Sequence, residues 1–266
     1  MPRDGRPENA RVTLSYERGP FHRATFVDFS DVPRLAGNHV SYEVIVPSRG
    51  SWSTCVQVTP VIEGQEITPR YVCGHPVERS TPVARLEEWN RRLPKVTSDQ
   101  EQFRVLLERS SRDLAALRIF DPEFPDRAVV AAGAPWFMTL FGRDSLLTSW
   151  MTMLVDPDLA LGTLQTLARF QGEQVDPITE EEPGRILHEM RFGETASLAL
   201  GGGRVYYGTA DATPLFVMLV GELTRWGSRR LEVDALVAAA DRALEWITDY
   251  GDKDGDGYVE YLRTSD

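Results

Sequence analysis

The sequence is short of the residues on which much protein chemistry depends. It has 2 cysteines and 4 histidines in 266 residues. Cys55 and Cys73 form no CxxC pair and no zinc-ligand spacing. Both fall in strand-like segments and are expected as reduced, structural thiols of a cytoplasmic protein. His22, His39, His75 and His188 are scattered, so neither a metal site nor a Ser-His-Asp constellation can be assembled from them. No metal and no cofactor is expected. There is no GxxxxGK[ST] loop and no GxSxG elbow, and Gly201-Gly202-Gly203 lacks both a third spaced glycine and a preceding strand. Apolar runs stay far below the roughly 18 residues that span a bilayer, the longest being Leu215 to Val220. The N-terminus has no apolar stretch of the kind found in secretory signals. Basic residues are the minority, with 29 Lys+Arg against 40 Asp+Glu and a net charge of −11. That balance argues against nucleic acid and against an anionic membrane surface as partners. A neutral ligand fits better.

What is present is the composition of an ordinary globular chain, 42% hydrophobic and 26% charged. The first third reads as β. Thr13–Tyr16, Ala24–Val27, Val40–Val46 and Cys55–Val58 are short and rich in β-branched and aromatic residues. Gly19-Pro20, Pro47-Ser48-Arg49-Gly50 and Glu63-Gly64 punctuate them as turns, in the manner of part of an antiparallel sandwich. Residues 79–97, charged and containing Pro82 and Pro94, read as a linker between a domain at 1–78 and one at 98–266. Beyond it the period becomes helical. Ser98-Asp99-Gln100-Glu101 has the form of a capping box, opening a helix with Phe103, Leu106, Leu107, Leu114 and Leu117 on one face. Helices are then expected over Arg143–Val155, burying Leu146, Leu147, Trp150, Met151 and Leu154, after Asp156-Pro157, after Pro214, and over Leu231–Tyr250.

Helices joined end to end must reverse, so their connections alternate between the two ends of the array. Short links, at Asp156-Pro157 and Gly227-Ser228-Arg229, fall at one end. The other receives Ala131–Gly142, the long segment 171–213 and the stretch from Gly251 onward, and these hold the polar and aromatic clusters. Trp136 before a helix start, with Arg143 and Asp144 in its first turn, supplies a stacking face, a donor fork and an acceptor pair, the groups a sugar ring needs. Taken alone, Asp144 equally complements a helix dipole. Glu181–Arg191 offers His188-Glu189, but Phe192 breaks HExxH, and a solvated loop accounts for the cluster as well. Tyr206, Tyr207 and Asp211 precede a helix that Asp211 would cap. Asp252, Asp254, Asp256 and Gly257 match the start of an EF-hand, yet the twelfth position is Arg263 rather than glutamate, so a tight acidic turn is expected, with Glu260 facing the functional end.

Five ordered stretches give the chain a resemblance to the bacterial glycogen-debranching, amylo-α-1,6-glucosidase-like family of six-hairpin glycosidases: Ala132–Phe137, Phe141–Leu146, Glu182–Glu189, Tyr207–Phe216 and Asp254–Tyr261. The resemblance implies an α+β multidomain fold, a partial antiparallel β-sandwich followed by the first hairpins of an (α/α)6 toroid. It implies an α-glucan or glucosyl oligosaccharide as partner and hydrolysis of α-glucosidic, α-1,6 linkages as the parent activity. Arg143 and Asp144 would grip a terminal glucose, Trp136 and Phe141 would form an apolar wall, and His188, Glu189, Tyr207 and Asp211 would rim the subsite. Members carry their proton-donating acid just after the acidic turn and their base on a later hairpin. Both are expected beyond Asp266, leaving the sugar-binding part of a chain truncated at both ends. The competing expectation is a non-catalytic carbohydrate-binding module or an inactive fragment. An epimerase of similar fold needs more histidine chemistry than a lone His188.

Overall fold

A computed structural model describes residues 11–19, 21–37, 39–62, 64–121, 126–200, 203–227 and 230–262. Pro20 and Glu63 of the expected turns, Gly201-Gly202, Ser228-Arg229 and Arg263 lie outside these. The chain has mixed α and β structure and divides into two compact units, Met1–Arg91 and Arg92–Asp266.

In the first unit, β1 (Arg11–Arg18), β2 (Phe21–Phe29), β5 (Val56–Ile62) and β6 (Gln65–Glu66) form an antiparallel sheet in the order β1-β2-β5-β6. The register places Val27 opposite both Val12 and Val58. Along β5, exposure alternates with the two-residue period of a pleated strand: Thr59 and Val61 are buried, whereas Val56, Val58 and Ile62 are exposed. Apolar residues therefore stand on both faces. β3 (Arg34–Ala36) and β4 (His39–Ser41) make a separate hairpin. The strand expected over Val40–Val46 ends at Ser41, and Ile45 is 94% exposed.

Two expectations are corrected here. Cys55 and Cys73 are not free thiols but a disulfide, with their Cα atoms 5.8 Å apart. Their chain separation concealed a proximity that β5 and the return at 71–76 create. Reduced cysteines therefore no longer argue for the cytoplasm. The segment expected as a bare linker contains α1 (Thr81–Arg92), with Pro82 in its first turn, where no backbone donor is needed.

In the second unit, α2 (Glu101–Leu117) begins without a capping box: Ser98 Oγ accepts from Gln100 N at 3.1 Å, two residues on, and no side chain caps the helix. Its expected core face is covered only in part: Leu107, Leu114 and Leu117 are half-buried, whereas Phe103 is 44% and Leu106 60% exposed. β7 (Arg118–Phe120) pairs with β8 (Ala128–Val130). Then α3 (Gly142–Met151), α4 (Pro157–Arg169), α6 (Ala212–Trp226) and α8 (Val237–Trp246) pack around one core, the short α5 (Glu194–Ala199) falling in the connection between α4 and α6. Leu146, Leu164, Leu167, Phe216, Leu219 and Leu223 are essentially inaccessible, each such side chain gaining about 1.5–3 kcal/mol from burial. The core face of α3 differs from the one expected. Gly142, Ser145, Leu146 and Ser149 turn inward, whereas Trp150, Met151 and Leu154 are exposed. Small residues let α4 approach, and Ser149 Oγ meets Thr163 Oγ1 at 2.9 Å in the buried contact.

Asp156 caps α4 as the sequence indicates, accepting from Asp158 N at 3.0 Å with Pro157 at the first helical position. Arg92 also binds the Asp156 carboxylate, at 2.7 Å. α6 ends in left-handed Gly227. The last expected helix is broken into α7 (Arg230–Asp234) and α8, followed by a wide turn in which Asp252 N reaches Ile247 O at 2.9 Å. No helix among the described residues is long and apolar enough to cross a membrane.

Candidate functional site

The site is assembled where α3 begins. Gly142 N donates to His188 O at 2.8 Å, Phe141 bridges Glu189, and Met190 N donates to Leu140 O at 2.9 Å. A Cβ on Gly142 would lie 2.2 Å from Leu187 O and 2.8 Å from Ala212 Cβ. Only glycine permits this approach, which fixes the first turn of α3 against the short strand β9 (Glu189–Met190). β9 in turn pairs with β10 (Val205–Tyr206), with Tyr206 opposite Glu189.

The structure thereby gathers several of the expected residues. Arg143 Nη1 donates to Asp211 Oδ2 at 3.1 Å, and Arg143 Nε is 3.9 Å from Asp144 Oδ2. These side chains are 38–50% exposed, open to a ligand. Asp211 does not cap α6; its other oxygen accepts from Thr209 Oγ1 at 2.5 Å. Glu189 accepts from Arg191 Nε at 2.7 Å and lies 3.9 Å from His188 Nε2. The His188 ring stands edge-on to Phe141 and to Tyr206, each centroid pair 5.9 Å apart. Burial holds the His188 pKa below the ordinary imidazole value, with Arg143 and Arg191 reinforcing the shift and Glu189 and Asp211 opposing it. Its Nδ1 is buried and unpartnered, which leaves Nε2 as the nitrogen facing the carboxylates.

Two expected residues stand apart. Tyr207 does not rim the site. It is 6% exposed, and its hydroxyl donates to Phe170 O at 2.8 Å, which makes it a core residue. Neighbouring strand residues face opposite ways, so Tyr206 takes the position expected of Tyr207. Trp136 is 86% exposed on a loop closed by the Gly133–Phe137 bridge, and it is Phe137 rather than Trp136 whose ring meets Phe141, at 5.9 Å.

Sequence reasoning missed Glu180. This carboxylate is 2% exposed, on a residue with φ of 57°. A non-glycine residue held left-handed costs about 1–3 kcal/mol, and a buried charge costs several more unless it is partnered. Partners are present. Tyr206 OH donates to Glu180 Oε1 at 3.2 Å, and the Tyr261 hydroxyl also hydrogen-bonds to the carboxylate. Arg185, 5% exposed, donates to Glu180 O at 2.8 Å, to Thr209 O at 3.1 Å and to Glu182 Oε2 at 3.1 Å. Its guanidinium lies 5.1 Å from the Trp246 ring centroid, and Trp246 Nε1 donates to Glu182 at 2.8 Å.

The acidic turn forms as expected, but Glu260 folds back into it, accepting from Lys253 N at 2.6 Å. Asp252, Asp254, Asp256 and Glu260 bring carboxylate oxygens within 4.8 Å of one another, a grouping able to hold a cation, although exposed acidic groups are common without one. Against models of protein families and against curated proteins, the chain matches none.

Proposed function

We propose that the second unit carries a glucosyl-binding site of a glycoside hydrolase of the amylo-α-1,6-glucosidase type, on the opening hairpins of an (α/α)6 toroid. The observation that carries this reading is the joining of Arg143 to Asp211 across 68 residues of sequence, beside Asp144 and next to the contacting rings of Phe141, His188 and Tyr206. A guanidinium fork with flanking carboxylates pairs with the alternating donors and acceptors of vicinal hydroxyls, and Phe141, His188 and Tyr206 supply the apolar wall. The antiparallel order β1-β2-β5-β6, with β5 burying alternate residues on one face, suits one sheet of a sandwich in the first unit. The ligand is an α-glucan end, and the disulfide favours an oxidising compartment over the cytoplasm.

A recognition role without hydrolysis is the second reading, favoured by one observation. Asp211 and Glu189 are each committed to a guanidinium, so they serve as acceptors for hydroxyls rather than as proton donors. The parent's acid and base are then supplied from outside these residues. Calorimetric titration with isomaltotriose tests the site. Wild type binds, and Arg143→Ala or Asp144→Ala, which each remove charge-assisted hydrogen bonds, weaken binding roughly tenfold to a hundredfold. Undiminished binding by both variants overturns the reading. Glucose release from isomaltotriose separates the two roles, since a recognition site alone liberates none.

A further inference from the structure

The Glu180 cluster has a polarity that follows from counting its protons. A carboxylate only accepts hydrogen bonds. Tyr206 spends its single phenolic proton on Glu180 Oε1 at 3.2 Å. Tyr261 Oη lies 3.2 Å from Tyr206 Oη and also hydrogen-bonds to Glu180, so its proton is spent on one or the other. Neither proton turns outward. Tyr261 is 43% exposed, and the face its hydroxyl offers to solvent consists of lone pairs alone.

The cluster adjoins the glucosyl site. Tyr206 O accepts from His188 N at 2.8 Å, the two rings meet edge to face, and the Arg191 guanidinium sits 4.9 Å from the Tyr206 ring centroid. Packing enforces the arrangement. A Cβ on Gly208 would come 2.2 Å from Tyr206 Oη and 2.7 Å from Glu180 Oε2, so glycine there leaves room for the carboxylate and the phenol together. We propose that Tyr261 is a ligand-binding residue that accepts a hydrogen bond from a sugar hydroxyl, and that Glu180 is the positioning residue that fixes it as an acceptor. This rests on the glucosyl reading. It extends that site by a wall opposite in polarity to Arg143, one residue past the acidic turn. Burial, with the hydrogen bonds to Tyr206 and Glu180, raises the Tyr261 pKa, so the hydroxyl stays protonated and its proton stays inside the cluster.

The test is calorimetry of the full chain with isomaltotriose and with maltotriose, alongside thermal melts. Tyr261→Phe weakens binding about tenfold, the size of one lost hydrogen bond. Glu180→Gln is isosteric, and the melts establish that it keeps the fold before its affinity is compared. With its amide nitrogen toward the phenols, a phenolic proton is freed to turn outward and binding weakens by a similar factor; with the nitrogen at the Oε2 position, both phenols keep their acceptor and Tyr261→Phe is the deciding variant. Because both changes act on one hydroxyl, the double variant binds no more weakly than Tyr261→Phe alone. Unchanged affinity in Tyr261→Phe, or losses that multiply in the double variant, overturn the assignment. If Glu180→Gln fails to fold, Tyr261→Phe against Tyr206→Phe decides, the second leaving the Tyr261 proton committed to Glu180 and costing less affinity. Should wild type bind neither sugar, the glucosyl reading itself fails. Should Arg143→Ala abolish binding and Tyr261→Phe leave it intact, only the Tyr261 assignment falls.

Discussion

Replacing Cys55 and Cys73 together by serine removes a covalent bond that closes a loop 18 residues long in sequence. In the chain-entropy account, a loop of that length restricts the unfolded state by about 3 kcal/mol at 25 °C. The first unit spans Met1–Arg91, and among the described residues its buried apolar side chains are few, namely Phe29, Pro33, Val61 and Trp89. A unit of that size has a total stability of roughly 5–13 kcal/mol, and a small core places it toward the lower end. Losing about 3 kcal/mol should lower its melting temperature by roughly 12–24 °C. The assay is hydrogen exchange by mass spectrometry on peptides covering β2 and β5, which reports this unit by itself. Wild type with reductant and the double serine variant should show the same accelerated exchange, and oxidised wild type should be protected. Equal protection in the oxidised protein and the serine variant would refute the entropic argument. Protection lost in the variant but kept by reduced wild type would point instead to the serine hydroxyls.

Two glycines separate crowding from backbone strain. Gly142→Ala drives a methyl group onto Leu187 O, costs about 3 kcal/mol in urea denaturation and weakens isomaltotriose binding, because the turn bearing Arg143 must move. Gly227→Ala, with φ of 64° and open space around it, costs only about 1 kcal/mol and leaves binding alone, so equal costs would refute the distinction. His188 is the pH-sensitive member of the site. Its folded-state pKa is lowered from 6.5, so the unfolded chain binds more protons as pH falls through 6.5. The contribution is complete above 6.5 and is lost below it, down to the folded pKa. Against His188→Gln, wild type should therefore lose stability between pH 7.5 and 5.5; a constant difference in denaturation midpoint removes the claim.

The parts of the fold legible in the sequence are those fixed by neighbours along the chain. Asp156-Pro157 specifies a cap and a first helical residue within two positions, and both form. Ser98-Asp99-Gln100-Glu101 carries the same local grammar, yet Ser98 satisfies Gln100 N in a tight turn, an equally local alternative. Periodicity located α3 but misplaced its buried face, because the small residues that admit α4 score as polar while Met151 and Leu154 score as core. In the site, Arg143, Asp144, His188, Glu189 and Asp211 were each visible, but what joins them is tertiary pairing across β9 and β10. Choosing between Tyr206 and Tyr207 required the register of a two-residue strand. Glu180 gave no signal at all, since its left-handed backbone and its partners Tyr206 and Tyr261 arrive only with folding. The disulfide was hidden for the same reason.

The stretch between α4 and α6 contains little regular structure, yet it is anything but slack. Ile186 and Leu187 are wholly inaccessible, Gln171 Nε2 ties Gly184 O to Ala239 O, and a Cβ on Gly184 would strike Arg242 O at 2.1 Å. Connecting segments ordinarily accept inserted residues, peptide tags and proteolytic nicks at little cost to the elements they join. This one should not. A cut or an insertion near Gly184 would part Arg185 from Thr209 and Trp246 at once, so a protease that nicks the folded chain should find its sites elsewhere. Natural variation in length should likewise collect outside residues 171–189.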